Sequence, residues 1–359
     1  MQTKLVKIEN KPGDDASMRE AAELIKQGEL VAFPTETVYG LGADALRPEA
    51  AKKIYAAKGR PSDNPLIVHI CKYEELLSIA KKVPPQAKKL ADAFWPGPLT
   101  MIVWKNERVP YETTGGMDTV AVRMPNHPVA LRLIEESGCL IAAPSANTSG
   151  KPSPTEAIHV LHDMDGRIPM ILDAGPVRIG LESTIIDLTE EKPMILRPGY
   201  ITKEMFEEVL GEEVQIDPGI LAADITDPSK GGQKPKAPGM RYKHYAPKAD
   251  LVLVEGETDN VVAKINELVE SGQKKGMHIG VIATDETYRR YQADVVFSIG
   301  ARADEDAIAQ HLYKILREFD EQEVDAIYSE SFKTPRIGQA IMNRLLKAAG
   351  HKIISVSES

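Results

Sequence analysis

Cysteine is scarce in this chain of 359 residues: there are two, Cys71 and Cys139, and both lie in apolar stretches. Two such thiols read as buried and reduced, the usage of a chain working in a reducing compartment. No Cys/His grouping has the spacing of a structural zinc site. No apolar run approaches the ~20 residues that span a bilayer, which points to a cytoplasmic protein with no membrane partner. The opening Met1-Gln2-Thr3-Lys4-Leu5-Val6-Lys7-Ile8 alternates polar and apolar residues, so it reads as a first strand and not as a signal peptide. Positive charge is also in deficit. The 44 Lys and Arg face 53 Asp and Glu for a net charge of -9, so there is no overall basic footprint for nucleic acid. Walker A, serine-elbow and HExxH motifs are missing, and Gly40-Leu41-Gly42 lacks the third glycine of a dinucleotide fingerprint. Internal repeats and low-complexity segments are missing too.

What is present is ordinary globular material. At 42% hydrophobic and 27% charged residues the chain can build an ample core, and its length favours two domains. Periodicity predicts helices over 15–27, 48–57, 74–82, 85–94, 127–138 and 202–210, and another beginning near 155. Buried strands are expected over 30–33, 66–70, 100–104, 119–124, 140–143, 170–173, 182–187 and 195–197. Pro34-Thr35-Glu36-Thr37-Val38-Tyr39-Gly40-Leu41-Gly42 reads as a strand-to-helix turn, with glycines that allow a tight bend or a close ligand approach. From 211 to about 250 Gly and Pro become frequent and periodicity vanishes, which marks a linker. Six Lys or Arg and no acid fall between 230 and 248. This strip suits a solvated linker, a lid over an anionic ligand or an RNA contact. Beyond it, strands over 251–254, 278–283, 295–299, 325–329 and 352–356 alternate with helices over 260–271, 307–321 and 338–349, the pattern of a mostly parallel sheet.

The polar residues of the first 210 positions gather at the ends of separate strands, where open α/β sheets bind ligands. Lys58 and Arg60 sit one residue apart, followed by Asn64 and His69, a set able to grip a polyphosphate and orient a smaller group beside it. Arg123 lies inside an apolar strand and Arg197 closes another. A guanidinium so placed needs a partner or a ligand. The loop from Pro144 to Ser153 is rich in hydroxyl and amide side chains that can donate to anionic oxygens. Many cations and no evident nucleophile suit chemistry done by positioning, such as nucleotidyl transfer.

These segments together resemble the threonylcarbamoyl-AMP synthases of the Sua5/YrdC family, in the two-domain form. The anchors are Pro34 to Gly42, Lys58-Gly59-Arg60-Pro61, Trp95-Pro96-Gly97-Pro98-Leu99-Thr100, Val120-Ala121-Val122-Arg123-Met124-Pro125 and Ala143-Pro144-Ser145-Ala146-Asn147-Thr148-Ser149-Gly150. Glu182-Ser183-Thr184, Leu196-Arg197-Pro198-Gly199 and the run from Pro238 to Tyr245 complete the set. The resemblance implies an α/β fold: a twisted open mixed sheet with a concave basic pocket over 1–210, a lid over 211–250 and a smaller Rossmann-like domain over 251–359. It implies that L-threonine, bicarbonate or CO2 and ATP give threonylcarbamoyl-AMP and pyrophosphate. Mg2+ would accompany the ATP phosphates with no protein ligands of its own. The product would pass to a tRNA threonylcarbamoyl transferase complex for t6A modification, with at most weak tRNA contact by this chain. The family signature falls on Lys58, Arg60, Ser145 and Asn147 as the catalytic set. Asn64, Thr119, Ser153, Arg197, Arg241, Tyr242 and His244 would complete the ATP site. Threonine would lie among Thr37, His69, Arg123, the Ala143 backbone and Ser183, with His69 orienting it or accepting its ammonium proton. An RNA-binding module, a carbamoyl transferase and a sugar-phosphate synthase are the rival readings.

Overall fold

Short apolar runs separated by amphipathic helices produce two β-sheets, each inside its own unit. The computed structural model describes residues 2–9, 11–221, 236–237, 244–332 and 334–356. Of these, 2–149, 153–221 and 236–237 cluster in the first unit, and 150–152 with 244–356 in the second.

The first unit carries β1 (Lys4–Lys7), β2 (Val31–Phe33), β3 (Gly40–Asp44), β4 (Ile67–His69), β5 (Ala80–Lys82), β6 (Leu99–Lys105), β7 (Thr119–Arg123), β8 (Ile141–Ala142), β9 (Met170–Asp173), β10 (Thr184–Asp187), β11 (Met194–Arg197) and β12 (Gln215–Ile216). Their order is β1-β9-β2-β3-β8-β4-β7-β6-β10-β11-β12, with β5 paired to the end of β6. The sheet is mixed: β4/β7 and β6/β10 are parallel, while β3/β8, β8/β4 and β7/β6 are antiparallel. Strand alternation splits the side chains between two faces. Val68, Val120, Val122, Met101 and Val103 share one core with Ile54, Leu76, Leu90, Val160 and Phe206 from the helices Pro48–Lys58, Tyr73–Ile79, Pro85–Phe94, Ala157–Met164 and Lys203–Leu210. The alternate residues Ile67, Ile102, Ala121 and Ile185 form a smaller cluster on the opposite face, and Ala237 is buried among them.

Three sequence expectations change. The Pro34 to Gly42 stretch is no strand-to-helix turn, because Gly40 and Gly42 lie within β3, antiparallel to β2. Their lack of a side chain serves packing. A Cβ on Gly42 would come within 2.7 Å of the Phe33 ring and 2.8 Å of Ile141 Cγ2. The helix expected over 74–82 ends at Ile79, and Ala80–Lys82 becomes β5. Val83-Pro84-Pro85 follows, and the residue before a proline resists the helical conformation. Past Gly211 the backbone does not at once become irregular, because β12 pairs in parallel with β11.

The second unit follows its pattern closely. β13 (Asp250–Glu255), β14 (Ile279–Ala283), β15 (Val295–Ser298), β16 (Ala326–Glu330) and β17 (Ile353–Ser355) form a sheet ordered β15-β14-β16-β13-β17, and every pairing is parallel. The helices Thr258–Gln273, Glu305–Glu321 and Gly338–Ala348 lie in three of the four strand connections, and the parallel neighbours β14 and β15 are joined through a 3-10 helix at Tyr288–Arg290. Gly150–Pro152 belongs to this unit. The Gly150 carbonyl accepts from Ala246 N at 2.9 Å, and the Pro152 carbonyl accepts from Arg317 Nη2 at 2.5 Å.

Gly42→Ala is expected to lower the unfolding free energy by about 1–3 kcal/mol through overpacking. Urea denaturation would register this as a lower midpoint at unchanged slope. A wild-type midpoint would mean that Phe33 and Ile141 give way freely.

Candidate active site

Register across the first sheet lines up a polar row. In the parallel β4/β7 pair His69 lies opposite Arg123, and in the antiparallel β7/β6 pair Arg123 lies opposite Thr100. All three side chains are at least nine-tenths buried. Thr100 Oγ1 and Ser183 Oγ share a hydrogen bond of 2.8 Å at the entry to β10. Arg197 closes the row. Its Nε donates to the Ser183 carbonyl at 3.0 Å and its Nη2 to Ser183 Oγ at 3.1 Å. A register shift between β10 and β11 puts Arg197 across from Ile185 and brings it to this serine.

A second cluster forms where the helix Pro48–Lys58 ends. Pro48 opens the helix and Gly59 closes it in a left-handed conformation (φ 61°), so Lys58 is its last residue. Lys58 is 3% exposed, and its Nζ donates to the carbonyls of Ser145 and Asn147, each at 2.5 Å. Ser145 Oγ donates to Asn147 Oδ1 at 2.5 Å, and Asn147 Nδ2 donates to the Thr148 carbonyl at 2.8 Å. The loop is also laced to the Pro34 to Gly42 stretch: Leu41 N donates to the Pro144 carbonyl and Ala146 N to the Tyr39 carbonyl, both at 2.8 Å. Past Gly59 the chain turns back. Arg60 Nη2 donates to the Pro65 carbonyl at 3.1 Å, and the buried Asn64 has an Oδ1 with no hydrogen-bond partner.

The structure thus unites Lys58, Ser145 and Asn147, with Arg60 and Asn64 on the turn after Lys58. It unites His69, Arg123, Ser183 and Arg197 in the polar row. Ser153 joins that row through Glu182, which accepts from Ser153 Oγ at 2.6 Å and precedes Ser183. Thr37 is buried and bonded to Thr35 at 2.9 Å, and Ala143 N donates to the Ile67 carbonyl at 2.9 Å beside β4. Thr119 starts β7 on the same face as Arg123, but no bond joins it to the other site residues. His244 lies in the second unit with its ring beside Tyr245, at 5.5 Å between centroids. Arg241 and Tyr242 lie outside the described residues. Sequence reading passed over Glu36, Thr100 and Glu182. Each sat inside a quoted motif, but the contact that makes it matter is long-range.

Burial sets the protonation states. The His69 imidazole is pushed down to about 3 by burial first and by the Arg123 cation second. Its Nδ1 lies 3.1 Å from the Ile67 carbonyl. A ring so hard to protonate is a poor proton acceptor but a good neutral orienting group, which weakens the acceptor role considered for it. His127, at the start of the helix Pro128–Ser137, is also lowered by burial, against the opposing pull of Glu36. The Arg123 guanidinium meets the Glu36 carboxylate at 2.8 Å, with side chains 4% and 2% exposed.

A mixed sheet with a buried polar row carrying Arg123 and Arg197 on one face, and a lysine-clamped polar loop after the interior strand β8, has the donors to bind small anions. Comparisons identify the family. The family model described as "Telomere recombination" (Sua5, YciO, YrdC) matches residues 23–199, and "Threonylcarbamoyl-AMP synthase, C-terminal domain" matches 201–350. A threonylcarbamoyl-AMP synthase of Pyrococcus abyssi is 50% identical over 343 residues, covering 96% of this chain and 97% of its own. One of Bacillus subtilis is 50% identical over 342 residues, covering 95% of each. The crystal structure of Pyrococcus abyssi Sua5 complexed with L-threonine superposes with a TM-score of 0.91 at 48% identity, over 99% of this chain and 100% of that one. The chain belongs to the two-domain Sua5/YrdC family of threonylcarbamoyl-AMP synthases.

His69 yields a stability prediction. Its folded pKa lies below the unfolded value near 6.5, so from about pH 6.5 down toward 3 the unfolded state binds a proton that the folded state refuses. Stability should therefore fall with pH, with His69 contributing up to about 1.4 kcal/mol per pH unit. In urea titrations from pH 6.5 to 4, His69→Gln should show a slope flatter by about that amount. An unchanged slope would contradict a buried neutral ring.

Proposed function

We propose that the polar row receives L-threonine, that the Lys58 cluster receives the triphosphate of ATP, and that the chain joins them through CO2 or bicarbonate into threonylcarbamoyl-AMP and pyrophosphate. The observation that carries this reading is Arg123: a guanidinium nine-tenths buried, whose Nη2 is ion-paired with Glu36 at 2.8 Å and whose Nε has no hydrogen-bond partner. A buried guanidinium with unsatisfied donors is a carboxylate reader. His69 and Ser183 flank it as neutral hydrogen-bonding groups that can fix the rest of the amino acid.

The chemistry requires a neutral amine. The ammonium gives its proton to water, the amine lone pair attacks the carbon of CO2 and opens one C–O π bond, and a second N–H proton passes to water to leave the carbamate. A carbamate oxygen then attacks the α-phosphorus in line, and the bond to pyrophosphate breaks. Lys58, Arg60 and Arg197 supply positive charge for the phosphates. Ser145, Asn147, Ser153, Asn64 and Thr119 supply hydrogen bonds. Among the described residues no three carboxylate, imidazole or thiol groups come together. Mg2+ would arrive on the ATP phosphates as part of the substrate.

The region 211–250 is proposed as a cover that keeps water from the carbamate and the mixed anhydride. Ala237, buried on the sheet face that bears His69 and Arg123, supports this. Arg241, Tyr242 and His244 are its proposed ligand contacts. The product is proposed to serve a transferase complex that makes t6A in tRNA. A cytoplasmic setting agrees with two free cysteines and with the lack, among the described residues, of a helix long and apolar enough to cross a membrane.

An assay of pyrophosphate release tests the reading. Release should require threonine and bicarbonate together, and release without either would overturn it. Arg60→Ala should raise the KM for ATP, and His69→Ala the KM for threonine, each by roughly tenfold or more as expected for a lost hydrogen bond to a charged group. Parallel changes in both constants would refute the division of the pocket.

A further inference from the structure

Glu36 has no role in the chemistry described so far, yet its setting is unusual. It lies in the six-residue connection between β2 and β3, fixed by Ile179 N donating to its carbonyl at 2.8 Å and Gly180 N donating to the Thr37 carbonyl at 3.0 Å. Its side chain is 2% exposed and stands 2.8 Å from Arg123 Nη2. At that distance the charges attract, but the angles make no hydrogen bond. Glu36 Oε1 and Arg123 Nη2 are therefore an ion pair outside hydrogen-bond geometry, while Glu36 Oε2 and Arg123 Nε, buried beside them, have no hydrogen-bond partner. Buried polar groups are almost always hydrogen-bonded, and charged ones most of all. An ion pair that leaves a donor and an acceptor open side by side marks a place where a ligand can complete the contact.

The chemistry of the missing partner follows from these atoms. Two acceptors on a carboxylate and two donors on a guanidinium are the complement of an ammonium and a carboxylate held close together. An α-amino acid separates those two groups by a single carbon. It is also neutral as a zwitterion, like the Arg–Glu pair, so its burial adds no net charge to a low-dielectric site. A ligand with only the carboxylate would satisfy Arg123 and leave Glu36 orphaned.

We infer that Glu36 receives the α-ammonium group of the amino-acid substrate while Arg123 holds its carboxylate, so that the buried pair selects zwitterions. This rests on the reading of the polar row as the threonine site. No other described cation competes for Glu36. His127, at the start of Pro128–Ser137, is lowered by burial against the opposing pull of Glu36, and His69, which lies opposite Arg123 on β4, is pushed down by burial and by the Arg123 cation. Thr35, one residue before Glu36, is occupied, because its Oγ1 donates to the Val38 carbonyl at 2.7 Å.

The test compares L-threonine with (R)-3-hydroxybutanoate, which keeps the carboxylate and hydroxyl but lacks the amine. Calorimetric titration of the full chain should show the wild type preferring threonine by roughly tenfold or more, the value of a buried hydrogen bond to a charged group. Glu36→Gln should abolish most of that preference and leave binding of the analogue intact or improved. Glu36→Asp, which retracts the carboxylate by one methylene, should reduce the preference partially, and it serves if the glutamine variant does not fold. Equal weakening of both ligands would mean that Glu36 acts only by holding Arg123, and a retained preference in both variants would mean that it does not meet the amine. Either result overturns the inference while the threonine site stands. A wild type that binds neither ligand would overturn the threonine reading itself.

Discussion

The site depends on one ammonium group. Lys58 ends its helix with a buried Nζ that bonds the carbonyls of two residues, Ser145 and Asn147, 87 and 89 positions further along the chain. Removing an ammonium from water is costly, and close carbonyl partners are what offset it. The offset works in both directions. The loop carbonyls, which need donors of their own, are fixed where the lysine can reach them. Ser145 and Asn147 are thereby held beside the Pro34 to Gly42 stretch, whose backbone takes up the rest of the loop. The Ser149 amide, donating to the Lys58 carbonyl at 2.9 Å, is a backbone tie between the helix end and the same loop.

The polar row is built differently. Its residues come from neighbouring strands, so strand register alone sets their spacing. His69, Arg123 and Thr100 occupy paired positions on β4, β7 and β6, and Ser183 and Arg197 extend the row through β10 and β11. A rigid sheet holds such a row more firmly than loops could. The Lys58 cluster reaches this row through Ala143, whose amide bonds the Ile67 carbonyl two residues before His69. The Lys58 cluster thus hangs on a clamp and the polar row on a ladder, with the interior strand β4 between them.

Legibility differed with the range of the interactions. The second unit was plain in the sequence, because each of its elements has a strong period and its parallel crossovers follow from alternation. In the first unit β3 was obscured by its glycines, which match no strand propensity and make sense only against Phe33 and Ile141. Strands β5 and β12 were obscured because three and two residues carry no period. The strand order depends on pairings such as β1 with β9, for which no local pattern exists. In the site, cations and hydroxyls at strand ends were readable as a class. Glu36 was not, since a lone acid in a turn looks solvated until the structure buries it against Arg123. The neutrality of His69 was hidden for the same reason, because burial is its leading cause.

The clamp can be tested without turnover. Lys58→Met keeps the length and apolar stem of the side chain and removes the three donors. Amide hydrogen exchange, resolved by segment, should show residues 143–149 losing protection by an order of magnitude or more while the helix Pro48–Lys58 and strands β4, β6 and β7 stay protected. Wild-type protection of the 143–149 loop in that variant would contradict the account, because the loop would then be held by its other bonds, to the Pro34 to Gly42 stretch, Ile67, the Lys58 carbonyl and Asp163.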